Sequence, residues 1–185
     1  MKKTVLFFAI ALLCWSGYSQ ESDEKTKTDI KPHYGARVGY NISNLDFDPA
    51  PISDNTHRNG FAFGIFAEYY LSPAVTISPE IMYSAEGAKA DELRVDYIHI
   101  PIFANYKFGE NFTVGIGPQA SVKVHEFQDG FKNFVFSGVA NLRYSLWVDY
   151  FIDVRYNYGF MNILDNDLGL EATNHNIQIG FGVKI

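Results

Sequence analysis

The sequence has one cysteine, Cys14, and three methionines in 185 residues. A single thiol supports neither a disulfide framework nor a cysteine-based zinc or iron–sulfur site. Blocks of basic residues are also missing: 15 Lys and Arg face 21 Asp and Glu, for a net charge of −6. An acidic chain without a basic stripe lacks the footprint of a nucleic-acid binder. No apolar run reaches the ~20 residues that a membrane-spanning helix needs. The run from Val5 to Trp15 follows the basic Met1-Lys2-Lys3 and has the length of a secretory h-region, roughly 7–15 residues. Gly17 and Ser19 are small residues at −3 and −1 of a cleavage before Gln20. Residues 1–19 are therefore expected to be a cleaved export signal. Leu13 stands where a lipobox needs a small residue, so Cys14 reads as a signal hydrophobe. Residues 20–32 are polar and of mixed charge, the composition of a flexible tail.

What remains, 33–185, is rich in rings, with 16 Phe and 12 Tyr in the chain, and its dominant period is two. Tyr34, Ala36, Val38 and Tyr40 alternate with Gly35, Arg37, Gly39 and Asn41. Seven further runs follow, centred on Ile65, Ile81, Ile100, Ile116, Ala140, Val154 and Ile179. Long connections near 42–60, 85–94, 124–133 and 159–174 alternate with tight turns near Ser72-Pro73, Gly109-Glu110-Asn111 and Ser145. Eight strands with loops short and long in turn predict an all-β fold. The expected architecture is an antiparallel up-and-down transmembrane β-barrel with short periplasmic turns and longer external loops.

The competing architecture is a soluble eight-stranded barrel of the lipocalin kind, and the two differ in which face is polar. Here the apolar face is continuous, with Tyr34, Tyr40, Tyr69, Tyr83, Tyr106, Tyr144 and Tyr158 near strand ends, as interfacial girdles require. The other face carries Gly, Ser and Thr with sparse charge of both signs: Arg37, Glu68, Glu80, Lys107, Lys123, Arg143, Asp153 and Arg155. These eight are expected to form a paired polar network inside the barrel, because a buried ion needs a partner. Pro79, Pro101 and Pro118 lie within strands, where each removes a ladder donor.

Several motifs resemble those of the PorT-like outer-membrane β-barrel family common in Bacteroidota. Ile77-Ser78-Pro79-Glu80-Ile81-Met82-Tyr83-Ser84 with Gly87 is similar to its third-strand motif. Tyr97-Ile98-His99-Ile100-Pro101-Ile102 is similar to its next strand, with His99 where an acidic residue is usual. Gly115-Ile116-Gly117-Pro118 and Tyr156-Asn157-Tyr158-Gly159-Phe160-Met161-Asn162-Ile163 are similar to two later motifs. The resemblance implies that the in-strand prolines are regular features. It also implies assembly in the outer membrane of a diderm bacterium.

Chemistry is sparsely encoded. None of His33, His57, His99, His125 and His175 falls in a metal-binding spacing. A lipid-modifying barrel enzyme would need a His–Ser–acid set. His125 and His175 near the outer strand ends and Ser84, Ser121 and Ser137 supply candidates, but no spacing joins them, and Ser121 is expected to face the lumen. Asn44, Asp46, Asp48, Asp54, Asn55 and His57 sit in one expected loop but lack the spaced pattern of a calcium site. No catalytic residue, metal or cofactor is expected. The expected protein is a monomer in contact with outer-membrane lipid, whose external loops meet a surface or protein partner. A small-molecule binder or narrow channel is the alternative.

Overall fold

In the computed structural model, residues 32–48, 56–126, 130–164 and 171–185 are described. The expected signal, 1–19, and all of the expected tail except Pro32 lie outside them. Eight strands follow one another: β1 (His33–Asp48), β2 (Arg58–Tyr70), β3 (Val75–Gly87), β4 (Arg94–Phe108), β5 (Phe112–Glu126), β6 (Phe134–Ser145), β7 (Tyr150–Gly159) and β8 (Glu171–Lys184). Each pairs antiparallel with the next, and β8 pairs with β1 to close a barrel. Closure leaves no sheet edge with unpaired amides, a requirement of any sheet that crosses lipid. No helix among the described residues is long and apolar enough to cross a membrane.

Burial assigns the two faces. Phe61, Ile65 and Ile116 are 71%, 63% and 68% exposed on the outside, while Arg143 and Asp153 are 1% and 2% exposed inside. An outer wall of this kind would be a large apolar patch in water; as a lipid-facing band it needs no further cover. Aromatic pairs gather near the short turns, as in Phe108 with Phe112 and Trp147 with Tyr150, and near the opposite ends, as in Tyr40 with Phe61.

The long connections are shorter than their sequence suggests. They span 49–57, 88–93, 127–133 and 160–170, because β1, β3, β5 and β8 run further outward than the lipid-facing pattern does. On β1 the reason is a change of phase. Even-numbered Tyr34, Val38, Tyr40 and Ile42 face outward in the apolar band. Beyond it, odd-numbered Leu45 and Phe47 take over as the apolar residues and point inward, with Asp46 and Asp48 outside. Pairing continues regardless, up to Asp48 with Glu171. Once a strand leaves lipid for water, its polar residues belong outside.

The prolines fall on three adjacent strands, and the regular pairing is interrupted beside each. Opposite Pro118, the Ile102 carbonyl leans into the space that a Cβ on Gly117 would occupy. That glycine lets the strands approach where proline donates no hydrogen bond. A further irregularity between Asp96 and Tyr97 against β5 leaves Val124 unmatched, as a β-bulge does.

Candidate functional site

The lumen is organised in three levels. The middle level is an ion-pair band. Arg37, from β1, holds the Asp153 carboxylate of β7 with Nε and Nη2, at 2.8 and 2.7 Å to its two oxygens, and donates through Nη1 to Gln178 Oε1 at 3.0 Å. Arg155, two residues along β7, reaches Asp153 through Nε at 3.1 Å and grips Glu80 of β3 at 2.6 and 3.1 Å. Arg143 of β6 donates to Glu68 of β2 at 2.8 Å, and Lys184 of β8 donates to the same carboxylate at 2.6 Å. The Arg143 guanidinium lies 4.1 Å from the Phe151 ring centroid, so part of its surface is satisfied by π-electrons. These links tie opposite walls together: each Arg presents a planar fork that matches a carboxylate, which a lysine does not offer.

Of the eight interior charges expected from sequence, Arg37, Glu68, Glu80, Arg143, Asp153 and Arg155 meet in this band. Lys107 and Lys123 do not. Lys107 is exposed at the short-turn end of β4. Lys123 is half-buried at the outer end of β5 and donates to the Phe131 carbonyl at 2.6 Å. Strand parity alone ignores depth, and both lysines lie too near an end to join the centre.

Towards the outer end a second cluster surrounds Glu86, fully buried and within the stretch expected to be loop. Its carboxylate accepts from Ser84 at 2.8 Å, Asn176 at 2.8 Å, His99 Nε2 at 2.7 Å, and Asn174. His99 Nδ1 in turn lies 2.7 Å from Ser121 Oγ. A Ser–His–acid chain therefore exists, though not with the outer-end histidines His125 and His175. Ser121 is 1% exposed, and the void beside it holds only about 10 Å³. No acyl group fits there, so the arrangement satisfies a buried carboxylate instead of presenting a nucleophile. The sequence signal was the continued period Ser78, Glu80, Met82, Ser84, Glu86, all on the lumen face.

Above this cluster the lumen turns apolar. Leu45, Val95, Tyr97, Phe131, Val135, Ile163 and Ala172 form one buried group. Backbone bonds from Lys132 to Ile163 at 2.7 Å and from Ile163 to Ala172 at 2.8 Å draw the outer connections over it. Among the described residues the short-turn end has no such cover and opens into a cavity of about 560 Å³. Among the described residues no group of three or more His, Cys, Asp or Glu could hold a metal ion.

The sequence model of the outer membrane protein beta-barrel domain family matches residues 18–165. The chain belongs to this family. No curated protein matches it significantly. Among solved structures, this family member is similar to Neisserial surface protein A, with a TM-score of 0.59 at 11% identity over 82% of this chain and 97% of that one. It is also similar to Ail, the attachment invasion locus protein of Yersinia pestis, in complex with the heparin analogue sucrose octasulfate. There the TM-score is 0.50 at 15% identity, covering 84% of this chain and 99% of that one. At these identities the likeness is one of fold. The protein is an outer-membrane β-barrel.

Proposed function

We propose that the protein is a non-enzymatic, non-conducting monomer of the outer membrane that acts structurally or through its external surface. The observation that supports this reading is the double obstruction of the lumen: the Arg37–Asp153–Arg155–Glu80 chain across its middle and the apolar group around Phe131 above it. Eight strands enclose a lumen just wide enough for side chains, whereas aqueous porins use about 16–18. With the interior filled, the outward ends of the strands and their connections are the parts left to meet a surface or partner, as loops on a rigid scaffold commonly do. The motifs around Pro79, Pro101 and Pro118 support a PorT-like assignment within the outer-membrane β-barrel family. Residues 1–19 serve as the export signal.

The test is single-channel recording of the purified protein in a planar bilayer. No porin-sized steps are expected, and stable steps would overturn the reading. Cells expressing a variant with residues 127–133 replaced by a Gly-Ser linker are expected to keep the barrel in the membrane and lose any surface attachment that the wild type confers.

A further inference from the structure

We propose that the periplasmic mouth of the barrel is a binding site for a monocarboxylate with a small apolar body. This goes beyond the external-surface reading and does not depend on it. The cavity of about 560 Å³ lies within the roughly 300–1,000 Å³ usual for small-molecule sites. It is one-ended: the far end of the lumen is sealed by the ion-pair band and the apolar group beyond it. A solute enters and leaves by the periplasmic side alone.

The wall chemistry selects the ligand. Glu68 at the inner wall is already neutralised by Arg143 at 2.8 Å and Lys184 at 2.6 Å. Lys107 adds a further ammonium that makes no ion pair or hydrogen bond among the described residues, beside the Thr113 hydroxyl on the neighbouring strand. Lys107 pairs in register with Thr113, and Thr113 with Arg143, on consecutive strands. With Glu68 neutralised, Lys107 is the cation left to bind at the mouth, and its ammonium offers three donors. Glu110 and Asp149 stand in the turns beside it. Those acids disfavour a polyanion and tolerate one buried carboxylate on a neutral body. Trp147, Val148 and Pro73 line the same cavity and offer that body an apolar wall. A ligand anchored by one charge and covered by apolar surface fits the usual composition of such pockets.

Trp147 gives the readout. The chain has two tryptophans, Trp15 and Trp147, and Trp15 lies in the expected cleaved signal, so Trp147 is the sole tryptophan emitter of the mature protein. That protein, extracted from outer membranes and held in lipid nanodiscs, is titrated with N-acetyl-leucine and separately with its uncharged amide. Fluorescence and calorimetry are read in parallel. The acid is expected to give a saturable response at least about tenfold tighter than the amide. Lys107→Gln is expected to weaken the acid by about tenfold, the scale of one hydrogen bond to a charged group. Lys132→Gln, at the opposite end, is expected to leave it unchanged. Equal responses to acid and amide, an unaltered Lys107→Gln variant, or silence by both methods would overturn the proposal. So would loss of the response on adding phosphatidylglycerol to the nanodiscs, because the cations would then belong to a lipid headgroup. Silent channel recordings alongside any of these outcomes would leave the external-surface reading standing by itself.

Discussion

Glu68 shows why the interior charges cannot be removed singly. Its carboxylate is 2% exposed and accepts from both Arg143 and Lys184. Glu68→Ala deletes the anion and leaves Arg143, itself 1% exposed, without its counter-charge. Breaking a buried pair from one side costs about 3–5 kcal/mol, most of it from the stranded ion. Urea titration of the variant in detergent micelles should show that loss; a change below ~1 kcal/mol would mean that water reaches the band freely. Gly180 makes the same point by volume. A Cβ there would collide with Arg37 Nη2 and Asp153 Oδ1. Gly180→Ala is therefore expected to cost about 1–3 kcal/mol, as overpacking of a filled interior does. In the same titration Gly138→Ala, whose added methyl would come no nearer than 3.7 Å to Phe160, should stay within about 0.5 kcal/mol of the wild type.

At the scale of the strand, the period of two made the barrel, its strand number and its inward face legible before any coordinates. Arg37, Glu80 and Arg155 were readable as lumenal because each sits opposite an apolar neighbour in an unbroken alternation. Depth was not readable. Lys107 and Arg143 share the same parity, yet one is exposed at a mouth and the other buried in the central band. Glu86 was hidden by the glycine that follows it, which reads as a loop but serves as a turn residue with φ +98° at the strand's very end. Leu45 and Phe47 were hidden because the apolar residues switch faces where β1 leaves the membrane. That switch predicts opposite responses to the same substitution. Ile100→Arg puts charge on the lipid-facing wall and is expected to cost about 2–4 kcal/mol near the bilayer midplane. Asp46→Arg, on the same outer face but 63% exposed beyond the band, is expected to change stability by less than about 0.5 kcal/mol. Refolding equilibria of both variants in lipid vesicles provide the comparison. Equal penalties would place the membrane boundary further out than the change of phase does.

Among its described residues the barrel is asymmetric along its axis: a polar cup at the short-turn end, a charged waist and an apolar cap at the other end. A rigid wall and a packed cap should differ in how readily they admit a reagent. Thr113 lines the open cavity, whereas Val135 is 7% exposed within the apolar group. The one cysteine, Cys14, lies in the expected cleaved signal, so mature Thr113→Cys and Val135→Cys proteins each carry one thiol. A charged methanethiosulfonate reagent reaches the first directly. For the second it must wait for the connections over Phe131 and Ile163 to open, together with their backbone bonds to Lys132 and Ala172. If that local opening costs about 3 kcal/mol, labelling at Val135→Cys is expected to be roughly 100-fold slower than at Thr113→Cys. Both should label at similar rates once the barrel is unfolded in urea. Membrane sidedness sharpens the comparison. In intact cells, where small reagents must first cross the outer membrane, the Thr113→Cys thiol should respond only when the periplasm is made accessible. Rapid labelling at Val135→Cys from outside intact cells would mean that the apolar cap is a working gate. The lumen would then be closed by the charged waist alone, and the case for a sealed outer end would fall.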